Sequence, residues 1–141
     1  MSKTEQEMCW YPIEQISMFE TVIAEQIEDA EECYANFLKV KDKPHILDNA
    51  TIDRAIQIYT ERMEFIEHYD RQFARWRVVA NLTHFQHSRL DALSFRNKYH
   101  RTKVEELLFL IKEVSVGTID QIMEVNDLEL ALKVLSGEIK I

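Results

Sequence analysis

Residues 12–38 read PIEQISMFETVIAEQIEDAEECYANFL, and their spacing decides the fold. Apolar residues recur at Ile13, Ile16, Ile23, Ile27, Ala30, Tyr34 and Phe37, in alternating steps of three and four, with Glu20 filling the one gap. That spacing lays a heptad-like stripe along one face of an α-helix. Phe19, Ala24, Cys33 and Leu38 widen the stripe, which suits a bundle helix better than a strict two-stranded coil. Pro12 is pre-set for a first helical position. Acids crowd the first part of the helix and Lys39, Lys41 and Lys43 follow its end, the order that the helix dipole favours.

Downstream, Lys41-Asp42-Lys43-Pro44 breaks the helix, and a loop is expected to about Ala50, with Asp48, Asn49 or Thr51 as caps for a second helix. A second stripe runs through Ile52, Ile56, Tyr59, Met63, Ile66, Phe73 and Ala80, with Asp70 and Arg77 at the two intervening positions. Those two polar residues fit a wet edge of a bundle. Arg77 also fits an ion pair with Glu20 or Asp70 inside an interface, which would fix helix register. No strong breaker lies between Thr51 and Val114, and one helix of that length would be an outlier in a compact domain. The spacing therefore predicts interruptions near Asn81–Thr83 and near His100–Thr102. At the second, Thr102-Lys103-Val104-Glu105 has the form of a capping box, and Val104, Leu107, Leu108, Ile111 and Val114 supply an amphipathic helix ending at Gly117. Two further cap signatures, Thr118 to Gln121 and Asn126 to Glu129, predict a helical hairpin over 118–141 that stops at Gly137.

The expected fold is all-α: an antiparallel helical bundle of about four main helices with a short C-terminal helical hairpin docked on it. It would be a single domain over 1–141, frayed over 1–10. Composition agrees, since 46% of the 141 residues are apolar while only two are Gly and two are Pro. Two cysteines, Cys9 and Cys33, make neither a disulfide framework nor a four-ligand zinc site. The N-terminus MSKTEQEM lacks the basic start and apolar run of a signal peptide, so a cytoplasmic setting is expected. The longest apolar run, Leu107 to Ile111, is too short to span a membrane. Two glycines cannot build a phosphate-cradling loop, and no Ser or Cys sits on a nucleophile elbow. P-loop chemistry, dinucleotide binding and covalent catalysis are thereby excluded, and no cofactor is expected.

Charge is segregated. Residues 1–34 carry nine acids and one base, whereas residues 71–103 carry eight bases and the single acid Asp91 within a chain of net charge −8. The basic stretch also holds Phe73, Trp76, Phe85, Phe95 and Tyr99. Bases interleaved with aromatics suit phosphate contact and base stacking, or contact with an acidic protein. Overall acidity argues against non-specific coating of nucleic acid. The expected function is non-enzymatic: a binding or regulatory protein contacting nucleic acid or an acidic protein surface through Arg75, Arg89, Arg96, Lys98 and Arg101. Phe73, Trp76 and Phe85 are expected in the core. The same arginines could instead neutralise the chain's own acidic helices.

Other readings stand beside this one. A protein-only adaptor or inhibitor would use the acidic helical faces. The heptad-like seam, its polar positions and the Trp10-Tyr11 pair could serve a homodimer. His84, His87 and Asp91 share a helical face with metal-ligand chemistry, but the Glu-x-x-His pairs of a di-iron bundle are absent, so no metal is assigned. Arg77-x6-His84 and Arg96-Asn97-Lys98-Tyr99-His100 resemble the HEPN ribonuclease pattern, an Arg and a His on one helix. Val78 rather than a polar residue follows Arg77, and three residues separate Arg96 from His100. The resemblance implies 2′-hydroxyl activation across a dimer.

Overall fold

The computed structural model describes residues 10–43 and 46–116. Every regular element among them is helical. A 3-10 turn, Ile13–Gln15, leads into α1, Ile16–Val40; α2 is Asn49–Val79 and α3 is His84–Ser115. No helix among the described residues is long and apolar enough to cross a membrane. The described residues form two compact units, 10–30 with 62–104, and 31–43 and 46–61 with 105–116, and each draws on all three helices.

In the first unit the α1 stripe meets its partners as the spacing requires. Ile16, Phe19 and Ile23 pack with Phe73 and Trp76 of α2 and with Leu90 and Leu93 of α3. Burial of side chains this size stabilises by about 1.5–3 kcal/mol each. Phe19 lies edge-on to Tyr11, Tyr69, Phe73 and Trp76, with centroids 5.4, 5.9, 6.0 and 5.2 Å away, so it is the centre of an aromatic cluster. Phe19 therefore takes the gap in the stripe that was assigned to Glu20, which stands at the margin and binds Arg89. The chain entering α1 is tied down through its backbone. Tyr11 N–H donates to Gln72 Oε1 at 2.8 Å, and its carbonyl accepts from Trp76 Nε1 at 2.6 Å. The Tyr11 backbone is thus tied to α2, while its side chain remains exposed. Along the α1 seam Ile16, Ile23 and Ala30 are buried in this unit.

The second unit buries Phe37, Ile52, Tyr59, Leu107, Leu110, Ile111 and Val114. Asp48 caps α2 as its position suggested: Oδ1 accepts from Thr51 N–H at 2.8 Å, and hydrogen bonds from Thr51, from its side chain first and its backbone second, hold the carboxyl below its ordinary pKa. Lys41, just past α1, reaches Glu113 at 3.5 Å.

Two expectations need correction. The break near Asn81–Thr83 is present, but the one near His100–Thr102 is not, so three long helices replace about four main ones among the described residues. The reason is the buried edge of α3, which runs Leu90, Leu93, Asn97, His100, Val104, Leu107, Ile111 and Val114 in unbroken steps of three and four. Two polar residues in that series hide it from a search for apolar periodicity. Thr102 does not cap a helix; its hydroxyl donates back to the Lys98 carbonyl at 3.2 Å. The capping box in use is Thr83-His84-Phe85-Gln86: Gln86 N–H donates to Thr83 Oγ1 at 3.1 Å, and Thr83 N–H to Gln86 Oε1 at 2.9 Å. The second correction is Phe85, which is 70% exposed and not core; Phe73 and Trp76 are buried as expected. The hairpin expected over 118–141 lies outside the described residues, as do residues 1–9 of the expected frayed start.

The two Thr-x-x-Glu/Gln sequences give a paired prediction. Thr83→Ala should cost about 1 kcal/mol in urea unfolding, whereas Thr102→Ala should be neutral within about 0.5 kcal/mol. A loss of equal size at Thr102 would mean that a helix starts there after all.

Candidate functional site

The basic stretch falls on the end of α2 and the first half of α3, and most of its cations are committed within the chain. Arg89 donates through Nε to Glu20 Oε2 at 3.3 Å, pairs with Glu20 again through Nη2, reaches Ser17 Oγ at 3.0 Å, and stands 5.8 Å from the Phe85 ring. Arg101 binds the Asp70 carboxylate. Arg77 binds Asp91 at 2.9 Å and Ser94 at 3.2 Å, so its partner is neither Glu20 nor Asp70. Arg75 lies 4.6 Å over the Trp10 ring. Of the five residues proposed from the sequence, Arg75, Arg89 and Arg101 thus have intramolecular work. Arg96 and Lys98 are exposed and form no ion pair among the described residues. Arg89 and Arg96 share one side of α3 a heptad apart, and Arg75 belongs to α2.

Arg96 and Lys98 flank an aromatic face. Phe85, Ala92, Phe95 and Tyr99 sit at helical spacing on the side of α3 that is turned away from its buried edge. Phe95 is 74% exposed and Tyr99 43%, and Lys103 Nζ lies 5.3 Å from the Tyr99 ring. A monomeric soluble surface rarely gathers large aromatic rings in one row, and such rows mark contact sites. The arrangement offers apolar area with the positive charges of Arg96, Lys98 and Lys103 at its margin.

On the inner side, the same helix carries a polar layer that sequence reasoning missed. Asn97 is fully buried and donates from Nδ2 to the Ile66 carbonyl at 3.0 Å and to Asp70 Oδ1 at 2.7 Å. His100 is also fully buried, and neither of its ring nitrogens has a hydrogen-bond partner among the described residues. Burial, and then the positive charges of Arg62 and Arg101, push its pKa down to about 4. Arg62 is itself fixed by the Gln26 carbonyl at 3.1 Å and Asp29 at 3.2 Å. Tyr69 donates to Gln26 Oε1 at 3.0 Å, and burial raises its pKa. The signal available was the three-four spacing of Leu90, Leu93, Val104 and Leu107, which leaves positions 97 and 100 inside.

These placements bear on the other readings. Arg96 is exposed while His100 is buried, and Arg77 and His84 belong to different helices rather than to the one helix of the HEPN pattern. Among the described residues no group of three or more His, Cys, Asp or Glu could hold a metal ion, and Asp91 is bound to Arg77. In the second unit an open groove of about 520 Å³ is lined by Tyr34, Leu38, Lys41, Glu105, Phe109 and Glu113, among others. Compared with known proteins, the chain matches no protein family, no curated protein and no solved structure.

His100 gives a pH prediction. Its folded pKa lies below the ordinary histidine value, so the unfolded state takes up a proton first as pH falls. The neutral buried form is fully favourable above about pH 6.5, and stability drains away down to about pH 4, by up to about 3 kcal/mol. His100→Leu should remove that slope in urea unfolding measured from pH 7 to pH 4. An unchanged slope would show that His100 already titrates normally in the folded protein.

Proposed function

We propose that this protein is a non-enzymatic binding protein that contacts an acidic protein surface through the outer face of α3. The observation that carries this reading is the exposed row Phe85, Phe95 and Tyr99 with Arg96 and Lys98 beside it. Aromatic rings supply contact area at small entropic cost, and flanking cations select an acidic rim and steer approach. Arg75, Arg89 and Arg101 then act as internal struts, and Arg96 and Lys98 as the contact cations.

An acidic protein surface is favoured over nucleic acid by arithmetic of charge. Phosphate binding draws its affinity from several cations that release counterions together. Here the acids Glu20, Asp70 and Asp91 neutralise Arg89, Arg101 and Arg77, and the chain as a whole carries −8. The few cations on this face, Arg96, Lys98 and Lys103, beside a row of rings fit a partner that is itself apolar with an acidic margin. Burial of His100, and the lack of a metal-holding His, Cys, Asp or Glu group among the described residues, favour a binding role over the metal and ribonuclease readings.

Fluorescence anisotropy tests this with two probes: a labelled amphipathic helical peptide whose Leu/Phe stripe is flanked by Glu, and labelled single- and double-stranded DNA and RNA. The peptide should bind, and the Arg96→Glu, Lys98→Glu variant should weaken it at least about tenfold at low salt. Salt-steep binding of a nucleic acid, lost in the same variant, would replace the acidic protein by nucleic acid. Binding of neither probe would remove the proposal.

A further inference from the structure

The first unit is divided in charge. Among its residues, 10–30 carry five acids and no base, whereas 62–104 carry nine bases and four acids, so these two segments together are neutral. Four ion pairs inside the unit use up part of each sign: Glu20 with Arg89, Asp29 with Arg62, Asp70 with Arg101 and Asp91 with Arg77. Carboxylates on α1 and bases on α3 remain, turned away from the core.

The carboxylates of α1 belong to a stripe. Met18, Thr21, Glu25 and Glu28 follow one another in steps of three and four, and all four are exposed. They lie on the side of α1 opposite the buried edge of Ile16, Phe19, Ile23 and Ala30. Neither Glu25 nor Glu28 forms an ion pair among the described residues. The stripe therefore begins with an apolar side chain, Met18, and continues with two unneutralised acids. The α3 face has the same construction with the opposite sign: Phe95 is its apolar centre, and Arg96 and Lys98 flank it. Each copy of the first unit thus carries both halves of a complementary pair on two different helices.

We infer that the acidic surface taken by the α3 face is the outer stripe of α1 on a second copy of this chain, with Phe95 of one protomer against Met18 of the other, and Arg96 and Lys98 against Glu25 and Glu28. The inference rests on the proposed docking function of this face and names its partner. Both halves lie in the first unit, so the contact asks nothing of the second. It joins two unlike surfaces, and is therefore heterologous. Like faces are disfavoured: two α3 faces would set Arg96 and Lys98 beside the same bases of the other copy, and two α1 stripes would set carboxylate beside carboxylate. The even balance of acids and bases in this unit also lessens, where the copies touch, the repulsion expected of a chain of net charge −8.

Sedimentation equilibrium of the full chain under reducing conditions tests it, with the anisotropy assay on the acidic peptide run beside it. The wild type should self-associate as concentration rises, and salt should weaken the association. The Arg96→Glu, Lys98→Glu variant and the Glu25→Lys, Glu28→Lys variant should each associate at least about tenfold more weakly. Phe95→Ala, which changes no charge, should weaken association by a similar factor. Mixed in equal amounts, the two charge-reversed variants should associate again, because the intact α1 stripe of the first meets the intact α3 face of the second. Unchanged far-UV circular dichroism and melting temperature would show that the variants are folded. A wild type that stays monomeric at every concentration overturns the inference. If that monomer still binds the acidic peptide, the docking face stands with another partner; if it does not, both readings fall. Association that either charge-reversed variant leaves intact, or that mixing fails to restore, also overturns the inference.

Discussion

The Asp70 carboxylate is the constraint on which the first unit depends. One of its oxygens accepts from buried Asn97 and the other from Arg101, so a single α2 side chain fixes two successive turns of α3. Charge-assisted bonds of this kind contribute about 1.5–3 kcal/mol, and their loss leaves polar groups unpaired in an apolar interface. Sliding α3 past α2 by one turn would strand Asn97 and Asp70 together. Apolar side chains such as Leu93 and Ile66 tolerate such a slip far better, because dispersion and burial carry little direction. The polar layer therefore sets register, while Phe19, Trp76 and their neighbours supply most of the favourable free energy.

The same layer explains how charge is used. Four arginines of α2 and α3 are neutralised at short range by acids of α1, α2 or α3. Glu20 holds Arg89, Asp29 holds Arg62, Asp70 holds Arg101, and Asp91 holds Arg77. What remains on the outer side of α3 is a small cationic margin around exposed rings. A helix with Asn97 and His100 on its inner edge and Phe95 and Phe109 on its outer edge inverts the ordinary assignment of residue type to side. Such inversions have a physical cause: the inner polar residues fix register, and the outer rings are available for contact.

This inversion also separates what could be read in the sequence from what could not. The helical class and the stripes of α1 and α2 were legible, because Ile16, Ile23 and Ile66 are apolar, regular and buried. Glu20 was misplaced in the stripe because strict periodicity outweighed Phe19 next to it, a larger and more buriable residue. The supposed helix start at Thr102 came from a motif without its context. Thr83-x-x-Gln86 and Thr102-x-x-Glu105 look alike locally, and only the buried edge running through Asn97 and His100 decides between them. The candidate site was legible as a stretch but not as a face. Which arginines are occupied depends on contacts between residues far apart in the chain, such as Glu20 with Arg89, and no local rule gives those.

The central claim is that α3 runs uninterrupted through Asn97, His100 and Thr102, since the register of the core and the outer face both rest on it. Amide hydrogen exchange read residue by residue by NMR tests it directly. A continuous helix predicts slow exchange at Thr102, Lys103, Val104 and Glu105, each amide bonded to the carbonyl four residues before, with protection close to that of Leu107. Fast exchange confined to Lys103, Val104 and Glu105, the orphan donors of a new helix N-terminus, would contradict it.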